Sequence, residues 1–340
     1  MKVLVTGGAG YIGSHTVAAL LERGEQVVVY DHLETGHREA VPDSALFVEG
    51  DIRDVQKLEQ TMKDYEVDAV IHFAAYSLVG ESMQNPGKYY ENNVYGTKCL
   101  LEAMVRQQVK RIVFSSTAAV YGEPVQIPIH EDDPIVPTNA YGETKLTMER
   151  MMRWYETAHG IHFISLRYFN AAGAHASGEI GEDHQPETHL IPLVLQTALG
   201  QRSHISIFGE DYPTEDGTCI RDYIHVSDLA DAHILALDAL RSQSRSGIYN
   251  LGNGQGFSVK QVIETAREVT GRDIPARMED RRAGDPAVLV ASSEKARNEL
   301  GWKPSRTDLR EVLASAWEWH VHHPQGYASP SLIRKGGESS

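Results

Sequence analysis

Residues 2–13 have the sequence KVLVTGGAGYIG, in which a β-branched run is followed at once by Gly7, Gly10 and Gly13. The run predicts a buried strand, Lys2–Thr6, and Tyr11–Glu22 predicts the helix that follows it. The three glycines permit a tight turn and close approach of a pyrophosphate, to which the first N–H groups of the helix present a partial positive charge. This stretch therefore predicts a dinucleotide-binding turn.

Acidic and small residues follow the next predicted strands. Asp31 ends the strand Gln26–Tyr30, where a carboxylate can accept hydrogen bonds from a ribose 2′-OH and repel a 2′-phosphate, so NAD is expected rather than NADP. Considered alone, Asp31 would also suit a strand-end turn. Asp51 could bind an adenine amino group or serve as a turn or helix cap. Phe73-Ala74-Ala75 suits close passage of a cofactor.

Strand and helix patterns alternate through the first half of the chain, which predicts an α/β fold: a Rossmann-type doubly wound parallel sheet with helices on both faces. The further predicted strands are Leu46–Val48, Ala69–Phe73, Arg111–Phe114 and His162–Leu166, and the longer helices are Tyr89–Gln107 and Tyr141–Ala158. A Gly-, His- and Pro-rich loop is expected at Gly173–Pro186. Two later helices are expected at Ser227–Ala239, capped by Ser227, and at Val259–Val269, capped by Ser258.

The pattern change near residue 170 predicts two domains. We expect an NAD-binding Rossmann domain at 1–171 and a smaller α+β substrate-binding domain at 172–328. Part of 217–255 should return to the main sheet. The polar tail 329–340 is expected to be disordered.

Composition excludes several classes of partner. The 340 residues carry a net charge of −15, which argues against binding to nucleic acid or to an anionic membrane. Apolar runs are too short to span a bilayer, and the N-terminus opens on a strand rather than a signal peptide, so the cytoplasm is the expected location. The two cysteines, Cys99 and Cys219, have no disulfide or zinc spacing.

A tyrosine and a lysine stand four residues apart in Tyr141-Gly142-Glu143-Thr144-Lys145, which places both on one face of a helix. A neighbouring ammonium and a positive nicotinamide should lower the pKa of Tyr141 and make it a usable base. Thr117, at the end of the fifth strand, can hydrogen-bond the sugar oxygen that loses its proton. Together with the glycine turn, this combination predicts catalysis by Tyr141, Lys145 and Thr117.

Longer motifs resemble the UDP-glucose 4-epimerases, a family of extended short-chain dehydrogenases/reductases. The resemblance runs from residue 1 to about Trp319. The motifs that carry it are VTGGAGYIGSHT at 5–16, VGES at 79–82, YYENN at 89–93, YFN at 168–170, GTCIRDYIHV at 217–226, YNLGNG at 249–254 and RRAGD at 281–285.

The resemblance implies reversible inversion at C4 of a UDP-hexose through a transient 4-keto sugar with bound NAD, and so the supply of UDP-galactose in galactose metabolism. Tyr141 would act as base and acid on O4, Lys145 would hold the nicotinamide ribose, and Thr117 would bind the sugar. Further implied NAD contacts are Tyr11, Ile12, Asp31, Asp51, Ile52, Phe73, Ala74, Ala75, Ser77, Asn93 and Phe169. Implied UDP-sugar contacts are Asn170, Leu190, Ser206, Ile207, Phe208, Arg221, Arg282 and Asp285.

The sequence departs from the family pattern at several positions. Thr117 stands where relatives often have Ser, and Ser77 where many have Lys. The segment Gln185–Leu190 is shorter than its counterpart, so His189 is expected to replace an Asn near the diphosphate. Leu289 aligns with the wall that faces the sugar C2 substituent, where relatives restricted to glucose and galactose tend to carry Tyr, so N-acetyl sugars are also expected to fit.

Other functions stay open to different degrees. A 4,6-dehydratase is disfavoured because Ala118-Ala119 follows Thr117 where that family has Asp-Glu. An epimerase of a UDP-pentose or UDP-uronic acid, a net dehydrogenase and a non-catalytic NAD-binding regulator are the remaining alternatives. The family implies a homodimer packed through the helices at Tyr89–Gln107 and Tyr141–Ala158. No metal site is expected, and His320, His322 and His323 are taken as a surface cluster.

Overall fold

The computed structural model describes residues 1–282 and 285–328. Its strands are β1 (Lys2–Thr6), β2 (Gln26–Asp31), β3 (Leu46–Glu49), β4 (Ala69–His72), β5 (Arg111–Ser115), β6 (His162–Arg167), β7 (Asn170–Ala172), β8 (Ile205–Phe208), β9 (Ile220–Arg221), β10 (Tyr223–His225), β11 (Gly247–Asn250), β12 (Phe257–Ser258), β13 (Ala276–Glu279), β14 (Val288–Leu289) and β15 (Pro324–Tyr327). The tail predicted to be disordered, 329–340, lies outside the described residues.

The helices are α1 (Tyr11–Glu22), α2 (Val55–Asp64), α3 (Val79–Gln84), α4 (Pro86–Tyr89), α5 (Gly96–Arg106), α6 (Ala140–His159), α7 (Leu190–Ala198), α8 (Val226–Gln243), α9 (Val259–Thr270) and α10 (Leu309–His322). Short 3₁₀ turns occur at Arg38–Ala40 and Ala118–Tyr121, and π-helical turns at Tyr90–Tyr95 and Ala296–Leu300. Within the described part of the chain, no helix is long and apolar enough to cross a lipid bilayer.

Seven parallel strands form the main sheet in the order β11-β6-β5-β4-β1-β2-β3. The predicted fold class is therefore confirmed. The chain winds outward in both directions from β1 and β4, so a crevice opens at the carboxyl ends of these two strands. β11 hydrogen-bonds to β6 and brings the chain back to this sheet after residue 246.

Alternation along the strands produces two buried layers. Val3 and Val5 pack on one face of the sheet, under α1 and α8, while Leu4 packs on the other face, under α2, α5 and α6. Each fully buried side chain of this kind contributes about 1.5–3 kcal/mol. Because both faces are covered, the central strands are apolar on both sides, and this is the signal that made them predictable from the sequence.

A third buried cluster joins α7, α9 and α10 to β8, at residues such as Val194, Ile207 and Val262. Gly173–His189 contains no helix or strand, so the predicted loop is confirmed and extends to the start of α7. Ser258 caps α9 as predicted, in a reciprocal capping box with Gln261. The predicted cap of α8 is wrong: the helix begins at Val226, and the His225 ring accepts the Ser227 N–H instead.

Candidate active site

The glycine turn at the carboxyl end of β1 lies directly against the backbone that follows β4. Gly7 has a φ of +74°, and a Cβ there would lie 2.5 Å from the Ala74 backbone nitrogen. A Cβ on Gly13 would collide with the Gly7 carbonyl oxygen. Helix α1 begins at Tyr11, and its N-cap Gly10 supplies no side-chain hydrogen bond, so the helix terminus is left to a ligand.

Asp31 also shapes this turn. Its carboxylate accepts hydrogen bonds from the Ala9 N–H at 3.0 Å and the Leu33 N–H at 2.9 Å, and its side chain is 7% exposed. The turn interpretation is therefore confirmed, and since a carboxylate has about four acceptor sites, the ribose contact stays a prediction that the remaining sites can accommodate. The Tyr11 hydroxyl donates to the Gly173 carbonyl, so this residue can meet a cofactor only through its backbone or ring face.

The other wall of the crevice combines the end of β4 with Asp51 and Asn93. Asp51 holds Arg53 through both the backbone N–H and the guanidinium, while Ile52 packs into the core. Asn93 accepts from the Tyr76 N–H and donates to the Tyr76 carbonyl, which fixes the segment that contains Ser77. In the protein alone these side chains mainly position backbone.

Tyr141, Lys145 and Thr117 come together at the carboxyl end of β5. Lys145 Nζ donates to the Ser115 carbonyl at 2.8 Å and lies 5.9 Å from the centroid of the Tyr141 ring. The Thr117 hydroxyl is hydrogen-bonded to Tyr141 and caps the following 3₁₀ turn. The Tyr141 N–H donates to Ser82 Oγ, which gives the VGES motif a role in placing the start of α6.

The lowering of the Tyr141 pKa predicted from the neighbouring ammonium is not found in the protein alone, whereas the lowering predicted from a bound nicotinamide stays a prediction. Burial raises the pKa of Tyr141 to about 12, and only the Thr117 hydrogen bond opposes it. Burial also lowers the pKa of Lys145 to about 7, against the attraction of Glu149. The site thus disfavours both charged forms, and a phenolate there requires a further positive charge.

A buried polar network lies behind this site, and sequence reasoning missed it. Glu149 accepts two hydrogen bonds from Arg167, at 2.9 and 2.6 Å, and one from Ser116 Oγ at 2.6 Å. Arg167 also donates to the Tyr121 hydroxyl, which donates to Asn250. The sequence did contain one signal for Glu149, because this residue continues the i, i+4 series of Tyr141 and Lys145 and so lies on the same face of the helix.

The predicted substrate residues lie on short strands beside this network. Leu289 and Phe169 pack on one apolar cluster that includes Ala118, next to Thr117. Leu289 pairs with Arg221 in the small sheet of β9, β12 and β14. A path of contacts through Ala118 and Leu289 therefore connects Thr117 to Arg221.

The predicted cations have different partners. Arg221 forms an ion pair with Asp285, whereas the Arg282 guanidinium stacks 4.0 Å above the Phe208 ring. Asn170 donates to the Asp222 carbonyl at 2.9 Å, beside Arg221.

Among the residues predicted on β8, Ser206 and Phe208 share one face of the strand. Ile207 is buried in the third cluster, so only its backbone can contact a ligand.

The histidines differ most from expectation. His189 stands at the N-cap of α7, before Leu190, and its Nδ1 lies 2.8 Å from Glu182 Oε1, so its ring faces this carboxylate. His320 and His323 are buried at the end of α10, and His323 stacks on Trp319, so the predicted surface cluster is wrong for these two.

Comparison with known proteins agrees with this geometry. Residues 3–252 match the NAD dependent epimerase/dehydratase family. The chain is 61% identical to a UDP-glucose 4-epimerase of Halalkalibacterium halodurans over 97% of its own length and 98% of the relative's. It is similar to a solved UDP-glucose 4-epimerase with a TM-score of 0.95 at 54% identity, covering 97% and 100% of the two chains. The Brucella ovis enzyme solved in complex with NAD has a TM-score of 0.91 at 47% identity, covering 93% and 97%.

Proposed function

The chain belongs to the NAD dependent epimerase/dehydratase family, and we propose that it is a UDP-glucose 4-epimerase, which interconverts UDP-glucose and UDP-galactose. The observation that carries this proposal is the meeting of Tyr141 with Thr117, beside a buried Lys145 anchored to the end of β5. The enzyme is an NAD-dependent isomerase, so no net oxidant is consumed.

NAD fits the crevice between β1 and β4, where the glycine turn places the N-terminus of α1 beside the site for a pyrophosphate and Asp31 can accept from a ribose. The cofactor supplies a reversible hydride acceptor for C4 of the sugar. The remaining proposed contacts with NAD are Tyr11, Ile12, Asp51, Ile52, Phe73, Ala74, Ala75, Ser77, Asn93 and Phe169.

The protein's own residues move the proton. Tyr141 takes the proton from O4 as the 4-keto sugar forms and returns it when the opposite epimer is made. Thr117 holds O4 by a hydrogen bond, and Lys145 adds positive charge when it is protonated, a form that Glu149 favours. Burial excludes water, so the abstracted proton stays on Tyr141 between the two half-reactions.

We propose that Arg221 and Arg282 hold the diphosphate. These two arginines are the local cations that an acidic protein needs in order to bind an anionic substrate. Anchoring the nucleotide leaves the keto sugar free to present its other face. Leu289 lies in the wall near the sugar, where its side chain is shorter than Tyr and has no hydroxyl. We propose that N-acetyl sugars are accepted for this reason.

A homodimer is proposed through the helices at Tyr89–Gln107 and Tyr141–Ala158, where α6 packs on both α3 and the π-helical turn. Met83 on α3 and Trp154 on α6 are large apolar residues that are 61% and 73% exposed, and Tyr90 and Tyr95 of the π-helical turn are also exposed. Large apolar side chains with this exposure are typical of an interaction surface. We also propose that the protein is located in the cytoplasm.

The first test concerns assembly. The wild type should sediment with the mass of two chains, and Trp154→Glu should sediment as one, because a charge would be buried at the interface. Met278→Glu, an exposed apolar position on β13, is the control and should leave the mass unchanged. A wild type that sediments as a single chain would contradict the proposed dimer.

The second test concerns Tyr141. Tyr141→Phe should lower kcat at least about 10²-fold in the conversion of UDP-galactose without added NAD, because the proton acceptor is lost. Heat-released NAD, assayed separately, should stay near one per chain. Tyr155→Phe on the same helix, whose hydroxyl donates to Glu102, should keep a normal rate. Near-normal turnover by folded Tyr141→Phe would overturn the assignment.

The third test concerns the diphosphate. Arg282→Ala should weaken inhibition by UDP by roughly 1.5–3 kcal/mol, the contribution of a charged hydrogen bond. Arg281→Ala is the matched control, since Arg281 pairs with Asp211 and stacks on Tyr212. Equal UDP inhibition constants in wild type and Arg282→Ala would place the diphosphate elsewhere.

The fourth test concerns sugar choice. The wild type should epimerise both UDP-galactose and UDP-N-acetylgalactosamine, and Leu289→Tyr should remove only the second activity by filling the space of the acetamido group. Leu289→Met, which nearly conserves volume, should keep both. The idea fails if the wild type is inert toward the N-acetyl sugar.

A further inference from the structure

Four potential metal ligands occur within eight residues of the loop that precedes α7: Glu182, His184, Glu187 and His189. One donor atom from each lies within 4.8 Å of the other three, and this is the single such group among residues 1–282 and 285–328. The sequence did not reveal the group because the ligands follow no helical or strand spacing; only the path of the loop brings them together.

The separations suit a tetrahedral ion. His184 Nδ1 lies 3.2 Å from Glu182 Oε1 and 3.7 Å from Glu187 Oε2, while His189 Nδ1 lies 2.8 Å from Glu182 Oε1 and 3.3 Å from Glu187 Oε1. Zinc–ligand bonds of about 2.0–2.2 Å in a tetrahedron place donor atoms about 3.3–3.6 Å apart. The four quoted separations lie within about 0.5 Å of these values, and all the donor atoms lie within 4.8 Å of one another.

The donor atoms converge without satisfying one another. Glu182 is 5% exposed, yet its Oε1 has no hydrogen-bond partner within the described residues, and neither does the buried His184 Nδ1. Their close contacts therefore lack hydrogen-bond angles. An unsatisfied buried carboxylate oxygen aimed at two imidazole nitrogens is costly unless something between them accepts the lone pairs.

We propose that Glu182, His184, Glu187 and His189 bind one divalent transition-metal ion, of which Zn²⁺ is the best match. Two carboxylates and two neutral imidazoles balance its charge. The mixed nitrogen and oxygen donors disfavour Mg²⁺, which prefers octahedral oxygen and water ligands. Glu187 Oε1 already accepts the Thr188 and His189 N–H groups, which orients the carboxylate as outer-shell bonds do in metal sites.

The alternative to a metal ion is that His184 and His189 are both protonated. Although burial acts in the opposite direction, the two carboxylates raise the pKa of His184 to about 9 and that of His189 to about 10. A closed set of imidazolium–carboxylate pairs would then fill the same space. The unsatisfied atoms favour the metal, since ion pairs with good geometry would satisfy both Glu182 Oε1 and His184 Nδ1.

The position of the site indicates a structural role. The His184 ring meets Tyr11, the first residue of α1, edge to face at 6.2 Å between centroids. The same segment ends at His189, where α7 begins. A bound ion would therefore fix the loop between the glycine turn and the lobe that contains α7, without requiring contact with the reacting sugar.

The experiment uses the full chain without a histidine tag. After chelation and dialysis, titration calorimetry should show one saturable Zn²⁺ site per chain, and excess Zn²⁺ should raise the melting temperature. Mg²⁺ should do neither. Glu182→Gln and His184→Gln should each weaken Zn²⁺ at least about 10-fold, the lower end for loss of an outer-shell partner. His322→Gln, outside the cluster, is the control and should bind like the wild type.

Cobalt provides a readout that needs no variant. Co²⁺ added to the stripped wild type should give the intense visible absorption of a tetrahedral complex, and Zn²⁺ should displace it. Weak octahedral absorption, or Zn²⁺ binding equal in the wild type and both ligand variants, would overturn the proposal and leave the proton-filled ion pairs. Epimerase activity does not enter these measurements, so the result is independent of the proposed function.

Discussion

The buried ion pair between Glu149 and Arg167 fixes the part of the molecule on which the chemistry depends. The two side chains are 2% and 1% exposed, and the carboxylate receives two hydrogen bonds from the guanidinium and one from Ser116. Charges so buried are tolerated only when paired, and removing one partner of such a pair typically costs about 3–5 kcal/mol. Helix α6 is thereby held to β5 and β6 at one register. Lys145 and Tyr141 lie about one and two turns before Glu149, on the same face of α6.

The same burial sets the charge state of the site. Desolvation penalises the charged form of each residue, so it raises the pKa of Tyr141 and lowers that of Lys145. Glu149 opposes the second effect and links the structural pair to the chemistry. Because burial holds Tyr141 as a phenol in the protein alone, its proposed role as a base would require added positive charge, which an oxidised nicotinamide carries. The proposed proton abstraction would thus be tied to the presence of an oxidised cofactor.

Sequence patterns predicted the parts of this enzyme that depend on local spacing. Strands β1 to β6 follow from short apolar runs, the glycine turn from glycines spaced by three, and the Tyr141/Lys145 pair from a spacing of four, and the family resemblance is confirmed. The rise in the Tyr141 pKa caused by burial was not predicted because desolvation depends on the whole surrounding fold. Arg167 was missed because its partner is 18 residues away, and the histidine–glutamate cluster because a loop without periodic structure assembles it.

The proposed nucleotide anchor would hold one end of the substrate while the sugar turns, and the surroundings of Arg221 suit this role. Arg221 is mounted between two short strand pairings, β9 with β12 and β9 with β14. The next residue, Asp222, is fully buried and accepts the Asn253 N–H at 2.9 Å and the Ala291 N–H at 3.3 Å, so it ties three segments together. The proposed sugar-facing wall contains instead the apolar contacts of Leu289, which packs on the same cluster as Phe169. Directional hydrogen bonds fix the anchor, whereas the non-directional apolar wall presents few groups that would select one orientation of the keto sugar. A reaction at both faces of C4 requires a fixed nucleotide and a sugar pocket that accepts both orientations of the keto sugar, and this arrangement would provide both.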